Sequence, residues 1–381
     1  MNITGIICEY NPLHAGHKKQ LDYIRGIEPA GGIVCLMSGN FVQRGKPAIA
    51  DKMTRAKAAI LSGADLVLEL PVTAALSSAE GFAAEGVEIL GGFCHKLCFG
   101  AESGSRESLM ATAAALLSPE FSGYLKEQLE AGLSFPAARQ KALEAMGIPG
   151  DLLSKPNDIL ATEYCKAILS QNSSMEPMVI RREGGYHDLT PDPENPSATA
   201  VRELMLHSGL WLDYIPEEAR DCFRYAALHT LKTGERAVLS KLRTMSEEEF
   251  EALPYGSEGL WRKLMHACRE YATLEEILSA VKSKRYTRTR LDRMVLCAFL
   301  GITREMLEIP APYVRVLALN DRGREILKKA RETGRFPNIG EKQEDAYQAL
   351  ETRCGSLYGL FADGTPEKPD TEAQYRIYYQ K

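Results

Sequence analysis

One stretch near the N-terminus decides the fold: Ile3-Thr4-Gly5-Ile6-Ile7-Cys8-Glu9-Tyr10-Asn11-Pro12-Leu13-His14-Ala15-Gly16-His17. Its first six residues are a short apolar run that predicts a buried β-strand, and a helical pattern begins at the second histidine. A strand that turns tightly into a helix is where α/β folds bind phosphate, because first-turn N–H groups and the helix dipole point into the crevice.

The pair His14 and His17 could be two surface histidines that flank a turn glycine. Their position at the first strand-to-helix turn favours a functional role instead. Two imidazoles there supply donors that can follow charge onto a reacting triphosphate. Gly16, between them, leaves no side chain to block the approach of a nucleotide.

Composition is that of an ordinary globular protein. The 381 residues are 45% hydrophobic and 25% charged, which is long enough for two domains. No apolar run approaches the ~20 residues of a membrane helix, and the N-terminus lacks the basic segment of a secretory signal. Nine cysteines, scattered singly, suit reduced thiols in the cytoplasm.

The segment Cys94-His95-Lys96-Leu97-Cys98 resembles a metal site in composition only. It has no second pair of ligands nearby, and its last residues fit the core of a strand. We therefore expect no metal site.

The first two hundred residues alternate strands with helices. Strands are predicted over residues 3–8, 32–37, 64–70, 96–99 and 178–182. Near-continuous apolar strands between helices predict an α/β fold, a doubly wound parallel sheet of Rossmann-like type. Loops after the first, second and fourth strands should then share one cleft at the carboxyl edge of the sheet.

The pattern changes after about residue 205. Residues 216–231, 247–253, 259–281 and 291–300 are amphipathic and predict helices, and Pro310 and Pro312 separate a small final unit that starts with a strand at residues 313–319. We therefore expect a catalytic domain at residues 1–205 and a mainly helical region at residues 206–381.

A basic cluster stands out in a chain of net charge −5. Its cations lie within twelve residues and are opposed only by Asp292: Lys282, Lys284, Arg285, Arg288, Arg290 and Arg293. A solvated helix boundary would also be basic, but charge segregation of this kind favours contact with a polyanion.

Several blocks of sequence, in the same order, resemble the bacterial tRNA(Met) cytidine acetate ligase family within the nucleotidylyltransferase superfamily. The blocks are residues 9–17 with the His-x-Gly-His motif, 37–45 (MSGNFVQRG), 63–71 (GADLVLELP), 99–102 (FGAE), 155–160 (KPNDIL), 197–202 (SATAVR) and 284–290 (KRYTRTR). Leu13 and Ala15 depart from the phenylalanine and asparagine expected around the first histidine, which concerns binding detail and removes no catalytic group.

This resemblance implies an ATP-dependent ligase. It would activate acetate as acetyladenylate and acetylate N4 of the wobble cytidine of elongator tRNA(Met), giving N4-acetylcytidine. His14 and His17 would be catalytic, and Mg²⁺ is expected to accompany the triphosphate, although no dedicated ligand set is visible. Neither DNA nor a membrane is implied as a partner.

The resemblance also assigns binding residues. The ATP site would comprise Ile7, Cys8, Glu9, Tyr10, Asn11, Pro12, Leu13, His14, Ala15, Gly16, His17, Lys18, Lys19, Gln20, Gly100, Asn157, Arg181 and Arg182. The tRNA-binding residues would be Lys284, Arg285, Arg288 and Arg290. Arg202, one turn into a helix that Ser197 and Thr199 begin, is a further cation for the triphosphate.

Two other functions use the same motifs. An adenylyltransferase that joins AMP to a phosphorylated small molecule would need the same first half, because a fold does not choose the nucleophile. An RNA-binding protein with ATP as a structural ligand is the other, and the intact histidine pair disfavours it.

Overall fold

The computed structural model describes residues 1–181, 195–332, 345–368 and 375–381. Its strands are β1 (Ile3–Cys8), β2 (Gly32–Ser38), β3 (Phe41–Val42), β4 (Lys46–Pro47), β5 (Leu66–Leu70), β6 (Lys96–Ala101), β7 (Glu176–Arg181), β8 (Val316–Asn320) and β9 (Tyr378–Gln380).

Helices cover both faces of the sheet and fill the second half of the chain. Those of the first half are α1 (Ala15–Ile27), α2 (Lys52–Leu61), α3 (Val72–Ala75), α4 (Ala79–Gly91), α5 (Arg106–Leu117), α6 (Pro119–Glu130), α7 (Phe135–Ala145), α8 (Pro156–Ser170) and α9 (Ala198–His207). Those that follow are α10 (Arg220–Arg224), α11 (Glu235–Thr244), α12 (Glu247–Glu251), α13 (Leu260–Glu270), α14 (Leu274–Val281), α15 (Arg288–Leu300), α16 (Arg304–Glu308), α17 (Asp321–Glu332) and α18 (Ala346–Tyr358).

A seven-stranded sheet in the order β7-β6-β1-β2-β5-β8-β9 forms the centre. The first five of these strands are parallel, as the sequence predicts, and every residue of β2 and β5 is buried. One face packs against α1 and α2 through residues such as Leu21 and Ile60, the other against α4 and α8 through residues such as Val87 and Cys165. The carboxyl ends of β6, β1 and β2 therefore lie side by side.

The small final unit predicted after Pro312 is not separate from the first domain: its strand β8 joins the central sheet. β8 pairs antiparallel with β5, and β9 pairs parallel with β8. Leu317 and Ala318 are buried in the same core as α1 and α2. Without β8, the edge of β5 would leave N–H and C=O groups unpaired. Pairing of β8 with this edge satisfies them and buries the apolar residues of β8, which is why the end of the chain joins the sheet.

Two helix predictions in the second half also differ from the structure. Residues 216–231 form only short turns and α10, because His229 leaves helical geometry: its N–H donates to the Ile49 carbonyl, and it bridges Ala362 in antiparallel fashion. Residues 259–281 divide into α13 and α14 because Thr273 caps a new helix. No helix of the described residues is both long and apolar enough to cross a membrane.

Buried charges join the sheet to the end of the chain. On β5, Glu69 accepts from Lys52 Nζ at 2.9 and 3.0 Å and pairs with Arg315 at 2.9 Å. Arg315 also pairs with Glu351 of α18 at 3.1 Å, and Glu351 accepts from the Val72 N–H at 2.8 Å. Removal of one member of such a network leaves an uncompensated buried charge, which is strongly destabilising.

This network makes stability depend on pH through Glu351. Burial raises the pKa of the Glu351 carboxyl to about 7, although Arg315 opposes the shift. The folded protein therefore keeps this proton to a higher pH than the unfolded chain, in which the pKa is near 4.5. The stability that Glu351 contributes is full below pH 4.5 and is lost as the pH rises through about 7.

We expect Glu351→Gln, which cannot ionise, to lose less stability than the wild type between about pH 5 and pH 8. Urea unfolding at a series of pH values measures this, with the exposed Glu270→Gln as the control. Parallel pH profiles for the wild type and Glu351→Gln would contradict the assignment.

Candidate active site

The two histidines cap the start of α1. His14 is the N-cap residue, and its Nδ1 accepts from the Gly16 N–H at 3.1 Å; His17 Nδ1 accepts from the His14 N–H at 3.2 Å. The rings stack with centroids 3.7 Å apart and planes 25° apart. Because both Nδ1 atoms accept, each neutral imidazole carries its proton on Nε2, and both Nε2–H groups are donors.

The first turn of α1 differs from our expectation in one respect. The N–H groups of His17 and Lys18 donate to the His14 carbonyl at 2.9 and 3.1 Å, and the N–H of Gly16 donates to its side chain. These amides are therefore capped by His14 itself. Three of the first amides of α1 are thus engaged, and the helix dipole and the imidazole N–H groups would favour an anion at this helix start.

The loop after β6 is shaped by one buried carboxylate. Asp158, in the first turn of α8, accepts from the N–H groups of Glu102, Ser103 and Gly104 at 2.7, 3.1 and 3.4 Å, and from the Ser103 hydroxyl. Asn157 beside it donates to Glu102 Oε1 at 2.5 Å. Gly100 precedes this loop at the end of β6, so the predicted residues Gly100 and Asn157 belong to one assembly.

Further contacts bring α1 and α9 to the same edge. Gln20 Nε2 donates to the Cys98 carbonyl on β6 at 3.3 Å. α9 begins where the sequence predicts, with Ser197 as its N-cap. Arg202, from the second turn of α9, donates to the Asn11 carbonyl at 2.5 Å. Arg181 ends β7 and is exposed, whereas Arg182 lies outside the described residues.

The segment after β2 closes over the turn that follows β1. The Gln43 N–H donates to Glu9 Oε1 at 2.8 Å, and the Ile49 N–H donates to Asn11 Oδ1 at 2.7 Å. Arg55 of α2, fully buried, donates to backbone carbonyls of both loops. Sequence reasoning missed Arg55, although its place among buried alanines of an amphipathic helix is a signal for an internal role.

The basic cluster is largely engaged within the protein. Arg285 pairs with Glu258, Arg288 binds Glu275 in a bidentate manner at 2.8 and 2.7 Å, and Arg290 donates to the Tyr255 carbonyl at 2.7 Å. Lys284 is exposed. Arg288 and Arg290 thus hold the start of α15 in place. Their partners, Glu275 and the Tyr255 carbonyl, could not be predicted from the sequence.

This cluster adjoins the loops of the histidine site through Gly45. The glycine has φ +70°, and a Cβ there would lie 2.4 Å from the Arg293 backbone nitrogen. Arg293 donates to the Gln43 carbonyl at 3.4 Å. The β3–β4 hairpin therefore lies directly against α15.

Cys94 and Cys98 are both buried, and burial raises the pKa of Cys98 to about 12. In the part of the chain that the structure describes, no three His, Cys, Asp or Glu side chains are grouped so as to hold a metal ion.

The fold and the histidine site define a nucleotidyl transferase of the HIGH type, and the family model "HIGH Nucleotidyl Transferase" matches residues 1–373. The tRNA(Met) cytidine acetate ligase of Clostridium novyi is 38% identical over 377 residues, which cover 94% of each chain. That of Clostridium perfringens is 37% identical over 388 residues, with 94% of this chain and 95% of the relative covered.

Solved structures agree. The crystal structure of Thermotoga maritima TmcAL in its apo form has a TM-score of 0.92 and 28% identity, and covers all of both chains. The same protein bound with alpha-thio ATP gives a TM-score of 0.88 at the same identity and coverage. This chain belongs to the tRNA(Met) cytidine acetate ligase family.

The capping role of His14 can be tested by its effect on stability. His14 is buried and stacked on His17, so both His14→Ala and His14→Asn lose the packing of the ring. Only asparagine can keep the cap, so we expect the free energy of unfolding to be about 1 kcal/mol lower for His14→Ala than for His14→Asn. Urea denaturation of both variants measures the difference. Equal losses in the two variants would show that the cap hydrogen bond contributes little.

Proposed function

We propose that this protein is an ATP-dependent ligase that activates acetate as acetyladenylate and acetylates N4 of the wobble cytidine of elongator tRNA(Met). The observation that carries the proposal is the stacked pair of His14 and His17 at the start of α1, whose Nδ1 atoms are both bound to backbone N–H groups. Their Nε2–H groups would serve as donors to the nucleotide. The family to which the chain belongs supports the choice of acetate and tRNA as substrates.

In the first step an acetate oxygen attacks the α-phosphorus of ATP. A bond forms between the acetate oxygen and the α-phosphorus, which gives a mixed anhydride. The bond between the α-phosphorus and the oxygen that bridges to the β-phosphate breaks, and pyrophosphate leaves with the electron pair. Negative charge grows on the phosphoryl oxygens, where the Nε2–H groups of His14 and His17 can donate to it.

In the second step the N4 amine of the cytidine attacks the acetyl carbonyl carbon. The carbon–nitrogen bond forms, AMP leaves with its phosphate oxygen, and the amine loses one proton. The products are N4-acetylcytidine and AMP, so that one ATP is spent for each acetyl group.

The loops around the histidines supply the proposed ATP site. The segment of residues 7–20 would hold the phosphates, Gly100 and Asn157 the adenosine side, and Arg181 and Arg182 the triphosphate charge. Arg202 supports the segment through the Asn11 carbonyl. Mg²⁺ would come with the triphosphate, which is its usual partner.

The proposed division of labour follows the chain. Residues 1–205 would catalyse and residues 206–381 would bind tRNA, with β8 and β9 completing the catalytic sheet. The nine cysteines all lie among the described residues and form no disulfide with one another, which suits a cytoplasmic enzyme.

One experiment tests the proposal as a whole. Protein is incubated with ATP, labelled acetate and tRNA(Met), and acetyladenylate and acetylated nucleoside are then measured. Both should form. Adenylate without acetylated RNA would favour another acceptor for the acyl group, and ATP binding without either product would favour a structural role for ATP.

We expect His17→Ala to slow acetyladenylate formation by ~10²-fold or more, the scale for the loss of one preorganised donor. Acetate-dependent release of pyrophosphate measures it. His17 is only half-buried and lies in the first turn of α1, so the fold should persist, and circular dichroism provides the control. A wild-type rate in this variant would remove His17 from the chemistry.

The exposed part of the basic cluster is tested by Lys284→Ala/Arg285→Ala. This double variant should form adenylate normally but bind tRNA more weakly. The salt slope of binding should fall by about 0.7 to 0.9 log units for each phosphate that the variant no longer neutralises, because fewer counterions are released. Arg288 and Arg290 are left intact because they hold α15.

Lys328→Ala/Lys329→Ala, which removes two exposed cations of α17, is the matched control for charge. It should bind tRNA as the wild type does. Equal weakening by both double variants would mean that net charge alone, rather than the cluster, sets the affinity.

A further inference from the structure

Arg55 is a buried cation without an acidic partner. Its side chain is fully buried, and among the described residues no carboxylate forms an ion pair with it. Burial lowers the pKa of its guanidinium, although Asp51 and Glu9 act in the opposite direction. A buried charge of this kind is costly unless its hydrogen bonds are fully used, so its presence calls for an explanation.

The Arg55 guanidinium donates hydrogen bonds to four backbone carbonyls. Nη1 donates to Glu9 at 2.6 Å and to Ser38 at 3.0 Å, Nη2 donates to Gly39, and Nε donates to Ala50 at 2.8 Å. Glu9 directly follows β1, and Ser38 and Gly39 mark the end of β2. One side chain thus fastens the carboxyl ends of two adjacent strands, at the edge of the sheet where the histidines lie.

The Glu9 carbonyl that Arg55 binds precedes Tyr10, and the Tyr10 ring contacts His17. The residue after Glu9 is Tyr10, which has φ +44°, a left-handed conformation that a non-glycine residue adopts only when its surroundings impose it. The Tyr10 ring lies against the His17 ring, with centroids 4.9 Å apart and planes at 57°. The Tyr10 hydroxyl lies 3.4 Å from Cys35 Sγ, within hydrogen-bond distance, and this contact restrains the position of the ring.

We propose that Arg55 is a positioning residue for His17: by holding the Glu9 carbonyl it maintains the left-handed turn at Tyr10, whose ring in turn orients the imidazole. The inference rests on the proposed function, since it concerns adenylate formation. Arg55 acts beneath the site and touches no substrate. A misplacement of about 1 Å in a catalytic group can cost ~10²-fold in rate.

Acetate-dependent exchange of labelled pyrophosphate into ATP tests the proposal. Arg55→Met should lower kcat by ~10²-fold, since His17 acts in the transition state. Arg55→Lys should recover part of the rate, because an ammonium can still donate to up to three carbonyls. Wild-type kcat in folded Arg55→Met would overturn the proposal.

Arg25→Met is the matched control. Arg25 also donates to backbone carbonyls, those of Gly31 and Gly63, and pairs with Asp65 at 2.7 Å, but these residues lie at the amino ends of β2 and β5. This variant should lose stability and keep the exchange rate. An equal loss of kcat in Arg25→Met would show that general loosening of the sheet explains the effect, and would overturn the assignment.

A double-mutant cycle isolates the route through His17. In a His17→Ala background, Arg55→Met should lower kcat by less than about threefold, because the group that it positions is already absent. Full additivity would mean that Arg55 acts elsewhere and would refute the proposal. If Arg55→Met fails to fold, Arg55→Lys carries the same cycle.

A readout independent of activity completes the test. The NMR resonance of His17 Hε1, shifted by the neighbouring Tyr10 ring, should move in Arg55→Lys and stay unchanged in Arg25→Met. An unchanged resonance in Arg55→Lys with lowered kcat would overturn the proposal. Absence of exchange in the wild type would refute the proposed function instead, and the resonance would then still decide whether Arg55 orients His17.

Discussion

A single buried carboxylate, Glu69, ties the two halves of this chain into one structure. It lies on a strand in the middle of the sheet, where an ionised group is tolerated only with cations beside it, and Lys52 and Arg315 provide them. Arg315 comes from the late part of the sequence and brings Glu351 of α18 with it. The position of α2, and so of Arg55 and the loops that it fastens, depends on this arrangement. The site at the carboxyl edge therefore rests on charges contributed by both halves.

In the histidine site the same rings serve both capping and the proposed chemistry, through different nitrogen atoms. Each histidine uses Nδ1 to complete the backbone hydrogen bonds of α1, which fixes the tautomer and leaves Nε2–H as the donor. In the proposed reaction the rings would therefore need little reorganisation when charge develops on the nucleotide. Around it, Asp158 and Arg202 fix two further loops through backbone groups. The proposed binding surface consists of loops, and Arg55, Asp158 and Arg202, each from a helix, donate to or accept from the backbone of these loops.

Much of this could be predicted from the sequence. Continuous apolar runs marked β1, β2, β5, β6 and β7, and the histidine motif marked the edge where nucleotide chemistry belongs, because both signals are local. The place of β8 was not predictable, since an apolar run does not reveal which strand edge it will pair with. Arg55 escaped notice because arginine usually lies at the surface. Arg288 and Arg290 belong to a cluster that suggested RNA contact, and only the fold shows that they bind Glu275 and the Tyr255 carbonyl.

The late arrival of β8 has a consequence for biosynthesis. Leu66 of β5 pairs with Leu319, so the sheet closes only after about 250 further residues have left the ribosome. At the usual ~5–20 residues per second, the edge of β5 stays open for roughly 10 to 50 seconds on each nascent chain. During that time Glu69 has Lys52 but not Arg315 as a partner, and an apolar strand edge is available to other chains. Nascent chains that stop before Val316 should therefore be clients of ribosome-associated chaperones.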